Sequence, residues 1–249
     1  MARAFLEVSR AIVLLLAVAM ALPVQAGSGV HVVEVAIEVS NSSGSHLSDI
    51  ELEIPLAPAI PGIQSRRDVS ADMPMTSEVR RGRDTAVVQG GSFAPGERRQ
   101  IHVRQTVESA GGSDVSGLGD YLEAARSGFQ YQGYRSRSAA NATISTGDCT
   151  EVAMSLLNAL RADGIAAELV FGLAIGQEEG ARASLVPHDW VLMEGSGGHR
   201  SVDAAAFLLP MQDPDYVILS SVGSTSIREP YVRANHIEAE VNLKFRLIQ

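Results

Sequence analysis

The amino-acid sequence predicts an α+β fold, in which an antiparallel β-sandwich is followed by a helix packed on an antiparallel sheet. Apolar side chains alternate with glutamates over residues 30–39 and 50–56, and residues 98–107 repeat the alternation. Such period-two patterns are typical of antiparallel strands with one face in solvent. Residues 150–163 instead carry apolar side chains at helical spacing. The strands and this one strong helix together indicate the fold class.

The first 26 residues have the features of a signal peptide. Arg3 and Arg10 precede the apolar run AIVLLLAVAMAL. Val24 and Ala26 match the small residues of a signal-peptidase cleavage site. The run is shorter than the roughly 20 residues that a membrane-spanning helix needs. We therefore expect export to the periplasm or the medium, with a mature chain that begins near Gly27. An uncleaved signal anchor is the alternative.

Composition limits the partners that this chain can bind. Its 249 residues carry a formal net charge of −9 and a single cysteine, Cys149. An acidic chain disfavours nucleic acid and anionic membrane surfaces as partners. One cysteine cannot form an internal disulfide, and no segment after the signal peptide is apolar enough to predict a membrane span.

Residues 27–110 are predicted to form the β-sandwich domain. In the first strand the inward positions of the period-two pattern are Val33, Val35, Ile37 and Val39. Between the predicted strands, residues 57–97 are rich in Pro, Arg, Gly and Ser, so we expect a long loop there with a short strand near residues 85–88.

Residues 111–249 are predicted to form the second domain, after a Gly- and Ser-rich linker over 109–119. A short helix is expected at DYLEAARSG, followed by the strong helix, whose predicted end is Gly164. Four strands are expected after it, at IAAELVFG, HDWVLME, HRSVDAA and IEAEVNLKFRLI. The apolar stripe of the strong helix consists of Ala153, Leu156, Leu157 and Leu160.

Cys149 lies at the start of the strong helix, where the macrodipole and free N–H groups stabilise a thiolate. The same N–H groups can bind a developing oxyanion. A nucleophilic thiol also needs an imidazole beside it and a third group that orients the imidazole. His188 begins one predicted strand and Asp203 ends the next. These three residues are therefore the candidate catalytic group.

Two hairpin registers bring His188 and Asp203 together. If Gly195 and Ser196 form a two-residue turn, His188 lies directly opposite Asp203. If the whole GSGG segment is the loop, Asp203 becomes the diagonal neighbour of His188 on the same face. Both registers place the carboxylate beside the ring, and the sequence does not choose between them.

The segments GDCTEVAMSLLNALRADGIAAELVFG, HDW and VDAA resemble the transglutaminase-like superfamily. The resemblance covers roughly residues 145–205. It implies Cys149 as the nucleophile, His188 as the base and Asp203 as the orienting acid. It also implies a papain-like core with the Cys-bearing helix packed on an antiparallel sheet, and acyl-transfer or amide-cleaving chemistry. A preceding β-sandwich is common among exported bacterial members.

The chain departs from the family pattern at two positions of the hairpin. Leu192 replaces a frequent acidic residue, and Arg200, within HRSV, lies where a tryptophan often precedes the aspartate. These departures keep open the alternative of a catalytically degenerate scaffold that acts as a protein-binding module in the cell envelope.

The sequence thus predicts an exported cysteine-dependent acyl enzyme that cleaves or transfers amide bonds of peptides or proteins. No cofactor or metal is expected, because no metal-ligand spacing is present. Trp190 is predicted to be a packing residue, and Asp189 is expected to face solvent. Three residues ahead of Cys149 could donate a side-chain hydrogen bond to an oxyanion, and the sequence supports this role less strongly than it supports the catalytic group: Tyr131, Gln132 and Tyr134.

Overall fold

The computed structural model describes residues 29–127, 147–177, 183–195, 197–211, 213–222, 232–236 and 239–248. Within these ranges the chain forms twelve β-strands, arranged in three four-stranded antiparallel sheets, and two α-helices. None of the helices in the described ranges is long and apolar enough to cross a membrane.

The first sheet joins the two ends of the described chain. It consists of β1 (Gly29–Asn41), β3 (Gln64–Ala71), β6 (Arg98–Ser109) and β12 (Ala239–Ile248), in the order β12-β1-β6-β3. The predicted inward face of the first strand is confirmed, because its four side chains are fully buried: Val33, Val35, Ile37 and Val39. The predicted solvent-facing side is not fully open to water: Glu38 is exposed, but Glu34 is buried and forms an ion pair with Arg104 at 2.8 Å.

The second sheet faces the first across a common core. It consists of β2 (Leu47–Pro55), β4 (Met75–Arg80), β5 (Arg83–Phe93) and β11 (Arg233–Ala234), in the order β11-β2-β5-β4. Apolar side chains from both sheets belong to one buried cluster, including Val35, Ile37, Leu52, Ile54, Val88 and Val103.

The long loop predicted over residues 57–97 is wrong, because this segment contains β3, β4 and β5. β3 and β4 are the outermost strands of their sheets, and most of their side chains are exposed or half-buried. Only a few of their side chains, Val69, Ala71 and Met75, pack partly against the core. Edge strands that bury so little need no regular apolar alternation, so their sequences lack the usual strand signal.

The third sheet carries the candidate site. It consists of β7 (Ala167–Gln177), β8 (Ala183–Gly195), β9 (Gly198–Val202) and β10 (Asp215–Val222), in the order β10-β7-β8-β9. Several apolar side chains of β7 and β10 belong to the same buried cluster as the first two sheets, namely Phe171, Leu173, Ile175, Val217 and Leu219.

Two helices accompany the third sheet, α1 (Gly119–Arg126) and α2 (Gly147–Ala162). The predicted end of the strong helix is confirmed: Gly164 has φ +74°, a left-handed conformation that ends helices, and its N–H donates to the carbonyl of Arg161. The apolar stripe of α2 is buried in a cluster that also contains Leu169, Val191 and Val202 of the third sheet.

The predicted fold class, α+β with a transglutaminase-like helix-on-sheet domain, is wrong. Strands make up 60% of the structure and helices 14%, and three antiparallel sheets dominate the architecture. The apolar stripe of α2 is a strong local signal, and it predicts a larger role for helix than the structure has. The edge strands β3 and β4 have little apolar alternation in the sequence, so the predicted strand content is too low.

Residues 110–118, part of the predicted linker, are held against β9. The N–H of Asp114 donates to the carbonyl of Ser201, and the N–H of Asp203 donates to the Ser113 hydroxyl at 2.8 Å. Gln64 also connects the first and third sheets. Its Nε2 donates to the carbonyl of Ile218 and its Oε1 accepts from the N–H of Ile218, both at 2.8 Å. The division into residues 27–110 and 111–249 stays a prediction.

A cleavage experiment tests that division. We expect a cut between the exposed residues Val115 and Ser116 to leave the two pieces associated, because β12 pairs with β1 and the sheets share a buried cluster. A sequence-specific protease site inserted there, followed by gel filtration without denaturant, measures the association. Separation into two folded fragments would instead establish independent domains.

Candidate active site

Cys149 lies in the first turn of α2, as the third residue of the helix. Its side chain is 4% exposed and belongs to the cluster formed by the apolar stripe of α2. The side chain of Asp148 and the candidate oxyanion donors Tyr131, Gln132 and Tyr134 lie outside the described residues.

The hairpin of β8 and β9 adopts the second of the two predicted registers. Gly195 pairs with Gly198, and the pairing continues to Val191 opposite Val202. Asp203 follows β9 and continues this register to the position beside Trp190. Since side chains alternate between faces, Asp203 and His188 lie on the same face as diagonal neighbours.

His188 and Asp203 form a buried hydrogen-bonded pair. Nε2 of His188 lies 2.8 Å from Oδ2 of Asp203, and the two side chains are 1% and 0% exposed. The other oxygen, Oδ1, accepts from the N–H of Ala205 at 2.8 Å. The carboxylate is therefore held at both oxygens, and the imidazole is held through Nε2.

The third member of the candidate group, Cys149, lies near enough to His188 to affect the pKa of the ring. Burial alone would lower the pKa of His188, because it disfavours the charged ring. The hydrogen bond to Asp203, the proximity of Cys149 and the negative charges of both groups outweigh burial and raise this pKa from 6.5 to about 10. Because Nε2 faces Asp203, the nitrogen left for the thiol is Nδ1. At neutral pH the protonated ring can donate to both partners.

Tyr216 of β10 is a site residue that the sequence analysis missed. Its hydroxyl donates to Oδ2 of Asp203 at 2.6 Å, and its side chain is buried. Burial and the neighbouring carboxylate raise the pKa of Tyr216, so the phenol stays protonated as a donor. Tyr216 reaches Asp203 across β7, where the side chains on this face are small, at Gly172 and Ala174. The continuous apolar run YVIL within DYVILSS is typical of a strand buried on both faces, but it does not identify the neighbouring strands.

Trp190 has the packing role that the sequence predicts. The indole is fully buried, lies 4.9 Å from the Tyr216 ring between centroids, and donates to the Ser201 hydroxyl at 3.4 Å. Gly172 makes room for it, because a Cβ at that position would lie 2.5 Å from the indole. The aromatic rings thereby cover the His188–Asp203 pair on this face.

Asp189 does not face solvent, so that prediction is wrong. Its side chain is 5% exposed, and Oδ2 accepts a hydrogen bond from the hydroxyl of Thr150, the residue after Cys149. The prediction assumed that the face of β8 opposite His188 is open to water. The buried cluster of α2 covers that face instead, at Val191 and Met193.

Leu192 and Arg200, the two residues that differ from the transglutaminase-like pattern, have structural roles here. Leu192 is buried in the cluster that contains Trp190 and Tyr216. Arg200 donates to the carbonyl of Ser116 at 3.0 Å and lies 3.5 Å from Asp114, so it binds the connecting segment to β9. Neither side chain is among the partners of His188 or Asp203 described above.

Within the described residues, no group of three or more His, Cys, Asp or Glu side chains is arranged to hold a metal ion. His199 pairs across the hairpin with Glu194, at 3.5 Å.

Comparison with known proteins adds one distant likeness. No protein-family model matches the chain, and no curated protein sequence matches it. Among solved structures, the chain is similar to a protein from Cytophaga hutchinsonii proposed to be a cysteine protease, with 12% identity and a TM-score of 0.45. The match covers 89% of this chain and 92% of that one. A likeness this distant carries no argument about function.

Replacing Tyr216 by phenylalanine tests its hydrogen bond to Asp203. We expect Tyr216→Phe to fold and to lower the free energy of unfolding by about 1.5–3 kcal/mol, the usual range for a hydrogen bond to a charged group. Denaturant unfolding measures the change. Tyr121→Phe is the matched control, because Tyr121 also donates to a carboxylate, Asp163, but at the exposed surface. Equal effects of the two substitutions would contradict a special role for Tyr216.

The raised pKa of His188 predicts a pH-dependent contribution to stability. A group whose folded-state pKa is raised stabilises the protein fully below its ordinary pKa of 6.5, and loses this contribution as pH rises through about 10. We therefore expect the stability difference between the wild type and His188→Gln to shrink across this interval. Denaturant unfolding at a series of pH values measures it. A difference that does not vary with pH would contradict a protonated His188.

Proposed function

We propose that this protein is a cysteine-dependent acyl enzyme that acts on amide bonds of peptides or proteins. One observation carries the proposal: three buried groups meet at His188, whose imidazole is hydrogen-bonded to the carboxylate of Asp203 and has its pKa raised by the neighbouring Cys149. A nucleophile, a base and an orienting acid in hydrogen-bond contact are what this chemistry requires.

In the acylation step, the Cys149 thiolate attacks the amide carbonyl and a carbon–sulfur bond forms. The backbone N–H of Cys149, at the positive end of α2, stabilises the oxyanion. His188 then donates its proton to the leaving amine while the carbon–nitrogen bond breaks. Asp203 keeps the ring oriented through Nε2, with Tyr216 and Ala205 holding the carboxylate.

In the deacylation step, a second nucleophile releases the acyl group. His188 takes a proton from it, the new bond to the carbonyl carbon forms, and the carbon–sulfur bond breaks. Water as the nucleophile makes the enzyme a peptidase or amidase, and an amine makes it a transglutaminase-like acyltransferase. Hydrolysis is the default, because water is abundant. Export through residues 1–26 belongs to the same proposal and rests on the sequence alone.

The catalytically degenerate scaffold is the second candidate, and one observation favours it. Cys149 is 4% exposed and His188 only 1% exposed, so both reacting groups are shielded from solvent. In this alternative the thiol is a small packing group at the start of α2, and the protein binds an envelope partner.

Alkylation of the single cysteine distinguishes the two candidates. At about pH 6 an ordinary thiol, with a pKa of about 8.5, reacts slowly with iodoacetamide. We expect wild-type Cys149 to react readily there, and His188→Gln to slow the reaction at least ~10-fold, because the imidazolium no longer stabilises the thiolate. Mass spectrometry measures the rate without ambiguity, since the chain has one cysteine.

Amide cleavage completes this test. Asp203→Asn should retain the fold but lower hydrolysis of a protein substrate such as casein by ~100-fold or more, because the ring loses its orienting carboxylate. His31→Gln is the matched control, since His31 lies 3.2 Å from Asp215 in a second histidine–aspartate pair outside the site. If the wild-type thiol does not react at about pH 6 and substitution of His188 does not change its rate, only the scaffold candidate is supported.

A further inference from the structure

Two consecutive residues of α2 contact two consecutive residues of β8. Cys149 lies beside His188 and raises the pKa of the ring, and the next residue, Thr150, donates its hydroxyl to Oδ2 of Asp189. Thr150 is 9% exposed and Asp189 is 5% exposed, so the second contact is buried like the first. The proposed reaction uses the first contact and leaves the second without a role.

His188 and Asp189 point to opposite faces of the third sheet. His188 lies opposite Gly172 and shares its face with Trp190, whereas Asp189 lies opposite Phe171 on the face that α2 covers. The pairing of β9 with β8 ends at Val191, so β9 does not extend alongside either residue. The first turn of α2 therefore meets β8 where both faces can be reached at once.

The contact between Thr150 and Asp189 constrains how α2 begins. A buried carboxylate is costly unless it accepts hydrogen bonds, so this pairing strongly favours one position of Thr150 relative to β8. Thr150 is covalently joined to Cys149, and both are in the same helical turn. Fixing Thr150 against Asp189 thereby limits both the rotation and the shift of the Cys149 sulfur relative to the His188 ring.

We propose that Thr150 and Asp189 are positioning residues, whose buried hydrogen bond sets the thiol of Cys149 against the imidazole of His188. The inference rests on the proposed acyl-enzyme function. Neither residue touches the reacting atoms in this role; they act through the geometry of α2 on β8. Misplacement of a reacting group by about 1 Å can slow a reaction by roughly 100-fold, so a tie of this kind has a measurable effect.

Paired substitutions at Thr150 separate positioning from plain stabilisation. Thr150→Val keeps the shape of the side chain and removes the hydroxyl, whereas Thr150→Ser keeps the hydroxyl. We expect Thr150→Val to slow iodoacetamide alkylation of Cys149 at about pH 6 by ~10-fold and to lower kcat with KM unchanged. Thr150→Ser should stay within about 2-fold of the wild type in both measurements.

Thr85→Val is the matched control. Thr85 is a buried threonine of β5 whose hydroxyl bonds the carbonyl of Arg83, in the second sheet. Its substitution should lower the melting temperature without changing the alkylation rate of the folded protein. If Thr150→Val does not fold, Asp189→Asn replaces it, because the amide is isosteric but a weaker acceptor; a slower alkylation rate is again the expected result.

The outcomes distinguish this inference from the proposed function. If the wild type shows no His188-dependent alkylation, both are overturned. If the wild type shows it but Thr150→Val behaves like Thr85→Val, losing stability alone, only the positioning role is overturned. Slower alkylation in Thr150→Val with recovery in Thr150→Ser supports it.

Discussion

The buried pairing of His188 with Asp203 is the interaction on which the arrangement of the third sheet depends. Removing an imidazolium and a carboxylate from water costs roughly several kcal/mol each, and their attraction compensates only when further hydrogen bonds satisfy both groups. Those bonds come from separate segments, with the Tyr216 hydroxyl on β10 and the Ala205 N–H after β9. The strand order β10-β7-β8-β9 brings these donors to one carboxylate.

The surroundings of this pair keep it dry. Trp190 and Tyr216 pack ring against ring on the same face, and Gly172 and Ala174 of β7 leave the space that the rings occupy. A low local dielectric strengthens every hydrogen bond that is satisfied and penalises every one that is lost. The opposite face of β7 and β10 packs into the core of the first two sheets, which gives the site a rigid support.

Local patterns in the sequence predicted the elements that are regular by themselves. The sequence predicts the buried face of β1, the apolar stripe of α2 and the glycine that ends α2, because each of these features depends on neighbouring residues alone. The hairpin of β8 and β9 is predictable for the same reason, although its register is not. The edge strands β3 and β4 escaped detection because exposed strands need no apolar period, and this led to the wrong fold class.

The sequence by itself determined which residue types are available for chemistry: one cysteine at the start of a helix, and a histidine and an aspartate on adjoining strands. Only the tertiary structure decided that Tyr216 reaches Asp203, that Asp189 is buried against Thr150, and that β12 returns to pair with β1. The physical reason is that helical and strand periods are local properties of the chain. Burial and strand pairing instead depend on which distant segment covers a given face, and no short stretch of sequence contains that information.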